Sequence, residues 1–310
     1  MLMVCSSAEA FSVPKLSQLY KGASLALITP KILAKYEPIE SIRFLADRGV
    51  KAGRIPASQM LSIQNKFTSI PSGEKILLQC LKNSACKPSL ALKRMTAYKN
   101  RHGHFPSPEI SQMIARDDLY YKLTLKEPHL SPTQLKLKAG AVAEKVMDSN
   151  FLKSGWSKIE GEVGRNGFDG LYVKLDRYGN VKSTMIMESK YGKAQLKKTV
   201  DGATQMSQKW SLKKIDALIK KYPNDPNYRQ IKAHIVKGNV KYRIYRLQAN
   251  NNKLHQTIEK IIPSESNVSI SKLNGGEKYQ ANYSQNIEID VNSPKGSYQK
   301  ALVEAYSHSL

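Results

Sequence analysis

The sequence predicts an α/β (α+β) protein, with an α-helical amino-terminal region followed by a domain in which strands and helices mix. Three observations carry this. Apolar residues at helical spacing, punctuated by prolines, run from about 13 to 120. Residues 131–153 follow, opened by Ser131-Pro132 and continuing with helix formers through Met147, which reads as a long helix. Beyond it, short strand-like runs alternate with glycine-containing turns and one further helical run. The expected organisation is a helical region at 1–130 with a delivery or regulatory role and a second domain at 131–310.

In the first region the helical pattern is read from Leu25, Ile28, Ile32, Leu33 and Tyr36, then Ile39, Ile42, Phe44 and Leu45, and later Ile76, Leu77, Leu78 and Leu81. Prolines such as Pro30, Pro56, Pro88 and Pro108 cut it into short helices, because proline starts a helix readily and disrupts its interior. The polar, turn-rich segment 98–108 reads as a boundary, and its His102 and His104 as exposed loop residues. Cys80 and Cys86, six apart around a turn-forming Asn-Ser, fit either a small disulfide loop or two buried thiols. Ala8-Glu9-Ala10 looks like a signal-peptide cleavage site, without the charged segment and long apolar stretch that should precede it.

In the second region Leu171–Leu175 suits a strand, Arg177-Tyr178-Gly179-Asn180 a turn, and Val181–Lys190 the returning strand of a hairpin. Thr204–Lys221 has helical spacing. Lys232–Val236 and Lys241–Leu247, flanking Gly238-Asn239, read as a second hairpin. From about 250 the chain is Asn/Ser-rich, with alternation at Ile287–Val291.

Charge narrows the function classes. The 310 residues carry 49 Lys+Arg against 25 Asp+Glu, a net charge of +24. An excess of that size favours a polyanionic partner, nucleic acid or an anionic membrane surface. No stretch approaches the roughly 18 consecutive apolar residues of a membrane helix, so no spanning segment is expected. The excess is densest over 185–250, with 15 basic and 4 acidic residues in patterned sequence rather than a tail.

The chemistry-bearing stretch is Gly167-Phe168-Asp169-Gly170-Leu171-Tyr172, followed on the returning strand by Glu188-Ser189-Lys190-Tyr191-Gly192. Side chains two apart on a strand share a face, so Glu188 and Lys190 point the same way, and Asp169 starts the adjacent strand. Two convergent carboxylates suit magnesium or manganese with phosphate oxygen as a further ligand, and a neighbouring lysine suits orienting water or balancing phosphate charge. Glu160 or Glu162 offers a further carboxylate, and Gln205 a polar contact from the start of the next helix. Tyr191, Trp210, Tyr242 and Tyr245 are candidates for base stacking, with burial in the core the commoner use of such residues. No Gly-x-Ser-x-Gly elbow, P-loop or dinucleotide fingerprint is present.

The order helix, Glu, Asp-strand, hairpin, Glu-x-Lys strand and helix resembles the PD-(D/E)xK, or restriction-endonuclease-like, nuclease superfamily. More narrowly, Gly-Phe-Asp-Gly-Leu-Tyr, Glu-Ser-Lys-Tyr-Gly and Asp201-Gly-Ala-Thr-Gln-Met-Ser-Gln-Lys-Trp210 are similar to nuclease domains at the carboxy-terminal ends of bacterial polymorphic toxins. The likeness covers about 145–222. Ser189, Phe168 and Thr204 depart from the usual residues without removing a group a metal needs. The resemblance implies a mixed central sheet and a Mg2+- or Mn2+-dependent endonuclease. Asp169, Glu188 and an upstream Glu160 would be its metal ligands, Lys190 its catalytic lysine and Gln205 an auxiliary. Lys193, Lys197, Lys198, Lys209 and Lys213 are the expected nucleic-acid contacts. DNA is the expected substrate, with RNA on the same scaffold or non-catalytic nucleic-acid binding as alternatives. An antibacterial toxin of this kind implies export, action in a target cell's cytoplasm, and an acidic immunity protein as partner.

Overall fold

The structure, a computed structural model, describes residues 57–82, 86–163, 167–272 and 286–310. The helices expected before residue 57 and the cleavage-like Ala8-Glu9-Ala10 lie outside the described residues. The chain divides into two compact units, Met1–Arg116 and Asp117–Leu310.

The described part of the first unit is helical. A 3-10 turn at Ala57–Gln59 leads into α1 (Met60–Thr68), followed by α2 (Gly73–Lys82), α3 (Pro88–His102) and α4 (Pro108–Arg116). Pro88 and Pro108 each stand at a helix start, as expected where no N–H is needed. Ile63, Phe67, Ile76, Leu77, Met95 and Ile114 are buried, and Arg94 Nη1 donates to Ile114 O at 2.8 Å. Cys80 and Cys86 are disulfide-bonded. The 98–108 segment is no boundary. It is the end of α3 and a tight passage to α4, with Gly103 at φ 80° closing the helix.

The second unit is α+β. It begins with α5 (Asp118–Lys126), whose cap Asp117 accepts from the N–H groups of Leu119 and Tyr120. Next comes α6 (Pro132–Lys153), with a capping box between Ser131 and Gln134. The strands are β1 (Ser157–Ile159), β2 (Gly170–Leu175), β3 (Val181–Tyr191), β4 (Val240–Asn250), β5 (Lys253–Pro263), β6 (Val268–Lys272) and β7 (Asn286–Asp290). Helices α7 (Gln208–Lys221) and α8 (Pro226–Val236) lie between β3 and β4, and α9 (Gly296–His308) ends the chain.

The strands form one mixed sheet in the order β1-β2-β3-β4-β5-β6, with β7 also paired to β5. The β3–β4 pair is parallel and the other pairs are antiparallel. A parallel pair needs a crossover, and α7 and α8 supply it. The expected hairpin about Gly238-Asn239 is therefore wrong. Asp225 caps a helix through Asn227 N–H, Pro226 starts it, and it runs through Val236. Gly238, at φ 71°, is the exit from that helix into β4. The helix expected at Thr204 starts later. Ser207 caps it by accepting from Trp210 N–H, and buried Met206, at φ 72°, turns the chain just before.

One face of the sheet is closed by α7 and α8. Leu171, Val173, Ile186, Tyr242 and Ile244 pack there with Trp210, Ile215, Leu218, Tyr228 and Ile231. Trp210 meets Phe168 edge-on with ring centroids 5.2 Å apart. That contact binds the Gly-Phe-Asp-Gly segment to the Lys-Trp segment of α7. Tyr191, Trp210, Tyr242 and Tyr245 are all buried, so they are core residues and not a stacking surface for bases. On the other face α6 packs against β3, with Phe151 beside Tyr172. No helix among the described residues is long and apolar enough to cross a membrane.

Candidate active site

The register of the β2–β3 hairpin builds the centre. Leu171 pairs with Ile186 and Gly170 with Met187, so the next position places Asp169 opposite Glu188. Cross-strand partners share a face. The ladder Val173, Leu171, Asp169 against Thr184, Ile186, Glu188, with Lys190 next on the same face, thus runs from the packed core into two acids and a lysine. Asp169 Oδ2 accepts from Ser189 N–H at 2.8 Å, which continues the ladder by a side chain where the strand pairing ends.

Glu188 is 2% exposed, and its two oxygens differ. Oε1 accepts from Lys190 Nζ at 2.5 Å and from Gln205 Nε2 at 3.0 Å. Oε2 is buried with no hydrogen-bond partner. Burial, then the charge of Asp169, pushes the Glu188 carboxyl up to about 7, against the pull of Lys190. Burial also raises Asp169. Asp169 and Glu188 lie within hydrogen-bond reach of each other. The buried Glu188 oxygen is therefore relieved either by one proton shared between the two carboxyls or by a cation, and the two-carboxylate donor set fits a divalent metal as it fits that proton.

Gln205 is held from two sides. Its backbone N–H donates to Lys197 O at 2.9 Å, and its side-chain Oε1 accepts from Lys197 N–H at 3.0 Å. That second bond fixes which way round the amide lies, so its NH2 is the group turned to Glu188.

An open cleft of about 510 Å3 adjoins the pair, lined by Glu144, Lys158, Glu160, Glu162, Phe168 and Asp169 among others. Glu144 of α6 is the functional candidate that sequence reading missed. Its carboxyl is pushed up to about 7, first by burial and next by the charge of Asp169. A carboxyl titrating there suits proton exchange at neutral pH. One turn on, Asp148 accepts from Tyr172 Oη at 2.5 Å and pairs with Lys158 Nζ at 2.7 Å. The signal was available: α6 carries four lysines and only these two acids, four residues apart on one face.

Glu160 lines the outer cleft and is exposed, its Oε1 accepting from Glu162 N–H at 2.6 Å. It is engaged within its own loop, whereas the charge of Asp169 acts on Glu144. Among the described residues no three His, Cys, Asp or Glu side chains already converge as a metal cage. A hard cation here would draw on Asp169 and Glu188 and complete its shell from water and phosphate oxygen.

Two glycines let Asp169 sit where it does. A Cβ on Gly167 would lie 2.3 Å from Gly161 O and 2.6 Å from Glu162 Cα, so that residue must be bare for the approach loop to fold under. A Cβ on Gly170 would meet Tyr172 Cε2 at 2.4 Å and Met147 Cε at 3.0 Å, both of them side-chain atoms.

The expected nucleic-acid contacts Lys193, Lys197, Lys198, Lys209 and Lys213 are all exposed, on the loop after β3 and the first turns of α7. Lys213 pairs with Asp201 at 3.3 Å. The amino end of α7 is no phosphate cradle, since Gln208 N–H and Lys209 N–H donate to Ser264 O and Glu265 O of the β5–β6 turn. Comparison of the chain with protein-family models, with curated proteins and with solved structures finds no match.

Proposed function

We propose that the second unit is a metal-dependent nuclease of the PD-(D/E)xK kind that hydrolyses phosphodiester bonds in DNA. The observation that carries the reading is the Asp169–Glu188 pair, with an unmatched buried Glu188 oxygen, Lys190 on the other oxygen and a basic surface alongside. Asp169 and Glu188 would hold Mg2+ or Mn2+, with Glu144 the nearby third carboxylate in place of Glu160. A cation bound there supplies Lewis acidity toward the phosphate and lowers the pKa of water. Lys190, held beside the pair, orients the attacking water and balances charge developing on the phosphate. Glu144 accepts a proton at the cleft. Gln205 fixes Glu188 so that its second oxygen stays turned to the centre.

A basic exported nuclease acting in a target cell's cytoplasm fits an antibacterial toxin, whose producer would need an acidic immunity protein. The disulfide between Cys80 and Cys86 supports passage through an oxidising compartment.

The test is digestion of duplex DNA and of tRNA, side by side, with magnesium and with chelator. DNA should be cut with magnesium alone, and Glu188→Ala or Lys190→Ala should abolish cutting. Cleavage of tRNA in preference to DNA would make the enzyme an RNase on the same site. Full activity in either variant would overturn the site. Salt-sensitive DNA binding without cleavage, unaffected by Asp169→Ala, would make the chain a binding protein.

A further inference from the structure

Residues 197–205 form a braced loop rather than a slack connection. Lys198 and Thr204 make a β-bridge. Inside it Thr199 N–H donates to Ala203 O at 2.8 Å and Gly202 N–H to Thr199 O at 2.9 Å, and the Thr199 hydroxyl reaches Asp201. From outside, Lys213 of α7 holds Asp201, and Thr204 N–H donates to Ser266 O of the β5–β6 turn at 2.8 Å.

At the tip of this brace Val200 is fully exposed. Lys197 and Lys198 precede it, both exposed. The loop therefore presents an exposed apolar tip with two cations beside it. Its base is closed by Gln205, which grips the Lys197 backbone at both N–H and C=O and reaches Glu188 with its NH2. The side chain that shuts the loop is the one that touches the proposed metal-binding carboxylate.

We propose that this loop is a contact finger for duplex nucleic acid. Lys197 and Lys198 take phosphates beside the tip, and Val200 packs against sugar and base edges in a groove. Gln205 passes the position of the bound duplex to Glu188. Two lysines beside a small apolar tip suit the duplex surface, where phosphates flank an apolar groove wall. The inference rests on the nuclease reading of the adjoining site and assigns that site's substrate contact.

The experiment measures binding of a short fluorescent DNA duplex in chelator, by anisotropy across a salt series. It compares wild type with Val200→Asp and with the Lys197→Ala/Lys198→Ala double variant, alongside magnesium-dependent cleavage by wild type. Val200→Asp should bind about tenfold more weakly, through lost apolar contact and an added anion. Its thermal midpoint should stay that of wild type, because a fully exposed side chain supports no packing. The double variant should lower the slope of log K against log salt by about 2. Wild-type affinity and slope in both variants, with wild type cutting DNA, would overturn the finger alone. Loop-dependent binding by a wild type that never cuts would overturn the nuclease reading and leave the finger standing.

Discussion

Glu188→Gln should make the metal-free protein more stable while removing the proposed activity. In the wild type Glu188 Oε1 has two donors and Oε2 has none. Glutamine keeps Oε1 for Lys190 and Gln205 and puts an NH2 where the unmatched oxygen stood, able to donate to Asp169. It also removes the cost of a buried charge. Burial and the charge of Asp169 raise the carboxyl from 4.5 to about 7, and because the two carboxyls titrate together the cost of the buried charge belongs to the pair, on the order of a few kcal/mol. The folded value lies above the unfolded one, so the folded state holds the proton more tightly. Wild-type stability from this group is greatest below pH 4.5 and is lost as pH rises through about 7. Glutamine does not titrate. Urea denaturation in chelator should therefore show Glu188→Gln more stable than wild type near pH 8, by on the order of a few kcal/mol, with the gap closing near pH 4. Magnesium at about a hundred times its dissociation constant should restore roughly 2.7 kcal/mol to wild type and much less to the variant. A variant no more stable than wild type at pH 8 would refute the claim that the site stores unfavourable charge for a cation to relieve.

Three further outcomes follow from other parts of the fold. Gly167→Ala drives a Cβ into the backbone of Gly161 and Glu162 and should cost about 1 to 3 kcal/mol. Gly170→Ala drives its Cβ into the ring of buried Tyr172, which Asp148 holds, and should cost a similar amount in the same melts; wild-type stability of Gly167→Ala would show that the approach loop does not fold under Asp169. Asp117, buried and pushed from 3.8 to about 7 mainly by burial, makes wild-type stability fall by about 4 kcal/mol as pH climbs through that window. Asp117→Asn should flatten that dependence, and an unchanged pH profile would refute it. Reduction of the Cys80–Cys86 disulfide, which spans a six-residue separation, should lower the stability of the helical unit by about 2 kcal/mol. Equal denaturation midpoints with and without dithiothreitol would count against that.

How far the site could be read from sequence follows from the range over which each signal acts. The hairpin was legible because its turn, its alternation and its Asp-to-Glu register are fixed by neighbours in the chain, so pairing Gly170 with Met187 brings the two acids together without help from elsewhere. Glu144 was legible only as half of an acidic pair with Asp148 on one helix face, not as a neighbour of Asp169. Which turn of a 22-residue helix stands beside the strand end is decided by packing of Phe151 and Met147 against Tyr172 and Gly170, contacts that no local pattern states. Gly238-Asn239 shows a different failure, in which one dipeptide serves equally as a hairpin turn and as a helix exit. What decides it is Asp225-Pro226 a full helix earlier, and the pairing of β4 with β3 in parallel. The same long-range dependence holds at Asp117. As a cap it belongs to α5, yet both its oxygens accept from Tyr191 Oη, which itself accepts from Ala249 N–H, so the residue after Lys190 is tied to a helix start 74 positions away. The chemistry was readable where it is carried by a strand pair, and hidden where a helix must be brought to it.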